Sequence, residues 1–122
     1  MLFVYYPKCS TCLKAKKWLD DNGIKYEERH IVEDNPKYDE LKVWYQRSGL
    51  PLKKFFNTSG LVYKNEKIKE KLLTMNEDEQ LHLLATNGML VKRPLLISGE
   101  FVLVGFKEDE WKNRGCYEMT NF

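Results

Sequence analysis

Two cysteines three positions apart carry the clearest chemical signal in the chain. Cys9 and Cys12 lie in Val4-Tyr5-Tyr6-Pro7-Lys8-Cys9-Ser10-Thr11-Cys12-Leu13-Lys14-Ala15. A short run of β-formers ends at Pro7 and a helical pattern follows, running to Asn22-Gly23, so the pair falls where a strand hands over to a helix. The first turn of a helix offers unpaired backbone N–H groups and the positive end of its dipole, and both stabilise a thiolate. An ordinary thiol, with a pKa of about 8.5, is protonated near neutrality, whereas such positions lower it to about 3.5–7.5. Cys9, at the very start, gains most and is the expected nucleophile. Cys12, one turn further in, is the expected resolver, attacking a mixed disulfide on Cys9 and releasing its partner. The alternatives are half a zinc site or two inert thiols. Zinc needs four ligands, and beyond the pair the chain offers only Cys116, His30 and His82, with no second short-spaced pair.

Composition narrows the classes further. At 122 residues, with 43% hydrophobic and 31% charged residues, the chain reads as one soluble globular domain. The net charge of +2 is small and the basic residues are scattered along the sequence, so direct nucleic-acid binding is not expected. Leu2 to Tyr6 is too short for a signal-peptide core and no basic segment precedes it, and nothing approaches the roughly 20 apolar residues of a membrane span. A cytoplasmic protein is expected. Structural disulfides are rare in that compartment, so three cysteines with two in one motif favour catalysis or sensing. The absence of a Gly-rich phosphate loop or a carboxylate cluster predicts no cofactor and no metal.

The elements that must position the pair are legible in outline. Leu2 to Tyr6 reads as a buried strand, and Ser10 to Asp21 as a helix with Cys12, Ala15, Trp18 and Leu19 inward. Ile24 to Ile31 alternates loosely, as a second strand; a helical crossover between the two implies a parallel, right-handed β-α-β unit. Asn35-Pro36 supplies a cap and a first helical residue for a helix with Leu41, Trp44 and Tyr45 on one face, ending near Gly49. Residues 50–60 read as a loop anchored from beneath by Phe55 and Phe56, with a partner-binding face as the alternative role of the two rings. A short helix over 66–73 follows, with Ile68 and Leu72 inward. A helix capped by Asn76, with acidic Glu79 at its third position, then runs to Asn87-Gly88. Pro94, which has no N–H to lose, suits the start of an apolar strand after Lys92-Arg93. Ser98-Gly99 reads as a two-residue turn into an antiparallel strand over Phe101–Val104, and a helix over 107–111 closes the pattern. The tail from about residue 114 lacks pattern. The expected fold is α/β and thioredoxin-like. It has a four-stranded mixed sheet and a helical insertion over about 35–88, between a β-α-β and a β-β-α half of one domain spanning 1–122.

Three stretches also carry a family resemblance: Tyr6-Pro7-Lys8-Cys9-Ser10-Thr11-Cys12 with Lys14-Ala15, then Phe56-Asn57-Thr58-Ser59-Gly60, then Lys92-Arg93-Pro94-Leu95. With Gly105-Phe106-Lys107-Glu108-Asp109, they resemble, over about residues 2–112, the family of glutaredoxin-coupled arsenate reductases and Spx-type redox regulators. The chain most resembles the short branch close to Spx. The resemblance implies a cis peptide before Pro94, an Arg93 that approaches Cys9 and stabilises negative charge there, and a substrate or partner surface involving Lys8, Ser10, Thr11, Asn57 and Pro94. It also implies glutathione, glutaredoxin or thioredoxin as reductant and, on the Spx-type reading, RNA polymerase as partner. Arsenate reductases of this family hold their oxyanion with two further arginines, and those places are Asn57 and Gly105 here. The arginine that usually follows the second cysteine in Spx is Leu13. Cys116 matches nothing in the family and reads as a free tail thiol, with resolution of Cys9 by a folded-back tail as the alternative. The function expected is a cytoplasmic thiol–disulfide oxidoreductase, with an Spx-like regulator and an arsenate reductase as alternatives.

Overall fold

The computed structural model describes residues 1–116, the last two by their backbone only, so the Cys116 side chain lies outside the described residues. Four strands, β1 (Leu2–Tyr5), β2 (Glu27–His30), β3 (Leu95–Ile97) and β4 (Val102–Val104), form one sheet in the order β2-β1-β3-β4. β1 pairs parallel with β2 and antiparallel with β3, and β3 pairs antiparallel with β4. The mixed four-stranded sheet and the thioredoxin-like fold read from the sequence are what the chain forms.

Successive strand residues point to opposite faces, and the two faces carry separate cores. Val4, Leu95, Ile97 and Val102 belong to one cluster, whereas Phe3, Leu96 and Leu103 belong to the other. The second face is covered by α1 (Ser10–Asp21) through Ala15 and Leu19 and by α6 (Glu108–Trp111) through Trp111. The first is covered by α2 (Tyr38–Ser48), α3 (Leu61–Asn65), α4 (Ile68–Leu72) and α5 (Glu77–Thr86), which lie in sequence between β2 and β3. β2 reads Glu-Glu-Arg-His, a charged strand at the edge of the sheet, which discourages pairing with further chains.

Local chemistry explains where the expected boundaries moved. α2 begins at Tyr38 rather than at Pro36, with Lys37 as its cap residue. The Asn35 amide is used elsewhere, donating to the Ala85 carbonyl at 2.8 Å. Glu40 caps the helix instead: its Oε1 accepts the Lys37 N–H at 3.0 Å, and both carboxylate oxygens are held by Arg29 at 2.6 and 2.8 Å. The stretch expected as loop contains a 3-10 turn over Leu52–Phe55 and leads into α3, which sequence periodicity did not reveal in only five residues. Phe55 and Phe56 are buried beneath it. The β3–β4 connection has four residues, not two, because Ile97 pairs with Val102 and the Ser98 N–H donates to the Phe101 carbonyl at 2.9 Å. Asn76 caps α5 as expected, and its Oδ1 accepts the Glu79 N–H at 2.9 Å.

Two packing features yield tests. A Cβ at Gly88 would lie 1.9 Å from the Ile31 carbonyl oxygen, a backbone atom that cannot step aside. Gly88→Ala should therefore destabilise the fold by about 2 kcal/mol or more, lowering the melting temperature by roughly 5 °C or more in calorimetry. The Arg29 guanidinium holds the Glu40 carboxyl below its usual range, first through the hydrogen bond and against the cost of partial burial. Because the folded-state pKa is lowered, this stabilisation is present above the unfolded value of about 4.3 and lost as pH falls through the folded value. Glu40→Gln should cost about 1 kcal/mol in urea unfolding near pH 7, and the gap to the parent should narrow towards about pH 3.

Candidate active site

The chain reverses direction at Tyr6-Pro7-Lys8-Cys9, where the Cys9 N–H donates to the Tyr6 carbonyl at 3.0 Å. Cys9 is the N-cap of α1, with extended backbone angles, and its Sγ accepts the Cys12 N–H at 3.4 Å. A sulfur thus takes the place that an Asn, Asp or Ser oxygen takes in most helix caps, and the orphan N–H of the first turn favours its charged form. Partial burial pushes the Cys9 thiol up. The hydrogen bonds from Cys12 and the charge and hydrogen bond of the Arg93 guanidinium outweigh it and hold Cys9 below its ordinary value. Cys12 is fully buried, and burial, with the hydrogen bond and charge of Cys9 added, pushes its thiol up to about 12.

Arg93 reaches this corner because two distant segments are joined backbone to backbone. Asn57 N–H donates to the Leu90 carbonyl at 2.8 Å and Lys92 N–H to the Phe55 carbonyl at 2.7 Å, around a bridge between Phe56 and Val91. The Arg93-Pro94 peptide is cis, as the resemblance implied, and the Pro94 carbonyl accepts the Gly105 N–H at 2.8 Å. The guanidinium carbon lies 5.1 Å from the centre of the Tyr6 ring, which itself meets His30 edge-on at 5.7 Å. His30 is fixed in turn by accepting the Val32 and Glu33 N–H groups on its Nδ1 at 3.1 Å each.

Cys9, Thr11, Asn57 and Arg93 share the wall of one cleft of about 850 Å³. Of the other residues expected here, Pro94 is buried behind Arg93, while Lys8 and Ser10 are exposed and do not line this cleft. Asn57 is 7% exposed, its Oδ1 accepts from the Ser59 hydroxyl at 3.4 Å, and a Cβ at Gly60 would come within 2.6 Å of its Nδ2. The glycine of Asn57-Thr58-Ser59-Gly60 therefore leaves room for the asparagine amide. Gly105 lines the same cleft with φ +75, a left-handed conformation that side chains other than glycine rarely adopt. Sequence reasoning missed the lysines of this wall: Lys53, Lys54, Lys92 and Lys107 all line it. Basic residues scattered in sequence are gathered by the fold. The Lys53-Lys54 and Lys92-Arg93 doublets were visible, but only the Phe56–Val91 bridge brings them to one place. Among the described residues no group of His, Cys, Asp and Glu could hold a metal ion, and no helix is long and apolar enough to cross a membrane.

A thioredoxin-like sheet with a Cys-x-x-Cys at the first turn of the first helix, facing an arginine just before a cis-proline, defines the class. Residues 4–114 match the model of the ArsC family, and the chain belongs to that family. It is 58% identical to YusI of Bacillus subtilis over 112 residues, covering 92% of this chain and 95% of that protein. It is 31% identical to the global transcriptional regulator Spx of Enterococcus faecalis, covering 90% of this chain and 83% of that one. The crystal structure of an ArsC family related protein from Bacteroides fragilis superposes with a TM-score of 0.89 at 63% identity, covering 92% and 94% of the two chains.

Against the cost of partial burial, the charge and hydrogen bond of the Arg93 guanidinium help to lower the Cys9 pKa. In Arg93→Gln the Cys9 pKa should rise, so alkylation by iodoacetamide near about pH 6 should slow several-fold and its pH profile should move upward. An unmoved profile would remove Arg93 from the site's electrostatics.

Proposed function

We propose that the protein is a cytoplasmic thiol–disulfide oxidoreductase working through the Cys9–Cys12 dithiol. The observation that carries this reading is the placement of the two cysteines: Cys9, half-buried at the cleft, caps the helix with its Sγ accepting the Cys12 N–H at 3.4 Å, and Cys12 is fully buried behind it. Cys9 attacks one sulfur of a disulfide as the thiolate, forming a mixed disulfide and releasing the other half as a thiolate. Cys12 then gives up its proton to the thiolate already released and attacks the Cys9 sulfur, forming the internal disulfide and releasing the second half as a thiolate. Two electrons pass from the dithiol to the substrate, and glutathione, glutaredoxin or thioredoxin returns them. Arg93 stabilises charge at Cys9, Thr11 and Asn57 contact the substrate on the cleft wall, and Pro94 shapes the surface a partner meets. No cofactor enters this cycle. Lys8 adds positive potential beside the turn, and Ser10 borders it from outside the cleft.

Likeness to the Spx regulators supports a second reading, in which the same disulfide alters a surface that RNA polymerase recognises rather than turning over. Redox-dependent capture of RNA polymerase by the purified protein would favour it. Arsenate reduction is less well supported. Asn57 is an uncharged side chain where the family's reductases use arginine, and Gly105, at the other such place, has backbone angles ill-suited to one.

The test is a redox titration read by thiol trapping and intact mass. The expected result is a Cys9–Cys12 disulfide with a midpoint in the range of about −200 to −270 mV. Cys9→Ser should abolish oxidation, and Cys12→Ser should stop at a mixed disulfide on Cys9. A Cys12→Ser variant that turns over as fast as the parent would overturn the dithiol cycle in favour of a monothiol one.

A further inference from the structure

The wall around Cys9 carries more positive charge than thiolate stabilisation requires. Lys53 and Lys54 lie in the 3-10 turn after α2, Lys92 and Arg93 precede β3, and Lys107 stands just before α6. Against these five cations the lining of the cleft holds, among the described residues, one carboxylate, Glu110. The whole chain has a net charge of only +2, whereas the described lining of this one concavity carries five cations to one carboxylate. Elsewhere Lys16, Lys17 and Arg29 are paired with Glu28, Asp21 and Glu40. Among the described residues, none of Lys53, Lys54, Lys92 and Lys107 has an acidic partner within 4.0 Å. Of these, Lys53, Lys54 and Lys107 are exposed, so their charges are carried without a desolvation cost and remain available to a ligand.

The cleft is also the right size for a small molecule, since about 850 Å³ lies within the roughly 300–1,000 Å³ of ligand pockets. Phe56 and Phe106 supply apolar surface on its wall, and Asn57 and Thr58 supply neutral polar groups. A concavity lined by one sign of charge concentrates ligands of the opposite sign and raises their encounter rate.

We infer that the cleft selects small disulfides bearing two or more negative charges, with Lys53, Lys54 and Lys107 as the residues that recognise them. This rests on the thiol–disulfide reading above and specifies its substrate class. The recognising chemistry is carboxylate or phosphate, since a lysine ammonium binds either as a point charge. Its redox step is the one already balanced: the first anionic half leaves as a thiolate when Cys9 attacks, and the second leaves when Cys12 attacks Cys9.

The experiment follows one turnover of the pre-reduced protein by rapid quenching and intact mass. Four disulfides are compared: uncharged bis(2-hydroxyethyl) disulfide, cationic cystamine, the dicarboxylate 3,3′-dithiodipropionate and the phosphate-bearing disulfide of coenzyme A. Each rate is divided by that of free dithiothreitol, an uncharged dithiol, with the same disulfide, which removes intrinsic reactivity. The normalised rates of the anions should exceed that of the uncharged disulfide about ten-fold, and cystamine should be slowest. The advantage should shrink to about two-fold between roughly 0.01 and 1 M salt, as the screening length falls from about 30 to about 3 Å. In the triple variant Lys53→Gln, Lys54→Gln, Lys107→Gln the anion-to-neutral ratio should fall towards one. A faster rate for the coenzyme A disulfide than for the dicarboxylate would assign the cleft to phosphate, and the reverse to carboxylate. Equal normalised rates for charged and uncharged disulfides, or a ratio indifferent to the triple variant, would overturn the inference while leaving the oxidoreductase reading intact. If no disulfide, uncharged or charged, oxidises the protein, that reading falls and this inference with it.

Discussion

The arrangement at Cys9 depends on one backbone junction. Phe55, Phe56 and Asn57 are joined to Leu90, Val91 and Lys92 by two short hydrogen bonds around a single bridge, more than thirty positions apart in sequence. Both phenylalanines are buried beneath it, so the junction is fixed by apolar packing as well as by polar pairing. On one side it presents Asn57 and the Lys53-Lys54 pair; on the other it delivers Lys92 and Arg93 just before they enter β3. Without it, the helices between β2 and β3 would still have a face to bury, but the cleft would lose two of its walls.

A chain of weak contacts then orients the arginine. His30 is fixed by two backbone N–H groups, its ring meets Tyr6, and Tyr6 presents its ring to the guanidinium. None of these contacts is worth much alone, about 0.5–1 kcal/mol for the cation over the ring. Together they hold a long, otherwise entropically costly side chain close to Cys9. The remaining wall is secured from the second core, where the Trp111 Nε1–H donates to the Gly105 carbonyl at 2.9 Å and the ring packs against Phe3, Trp18 and Phe106. The aromatic cluster of the second core therefore bears on the shape of the cleft, whose wall includes Gly105 and Phe106.

How much of this could be read from residues alone follows from the range of each interaction. The first helix, its thiol-bearing start and the Asn76 cap were legible because they depend on neighbours within four positions. The paired strands Leu95–Ile97 and Val102–Val104 were legible because they are apolar on both faces. The start of α2 was not, since Asn35 is a good cap by type and only the contact with Ala85, fifty positions away, diverts it. The five-residue α3 lacks the length for a periodic signal. At the site, Cys9, Cys12 and Arg93 announced themselves by chemistry and by resemblance. The lysines did not, because charge proximity across the 56–91 bridge has no counterpart in local spacing.

The full burial of Cys12 has a consequence for the order of events. A sulfur with no exposed surface cannot be addressed by another molecule, so the dithiol has a single port, and whatever arrives from outside meets Cys9. Between the two sulfurs of the motif, access is thereby set by shape: of Cys9 and Cys12, only Cys9 is on offer.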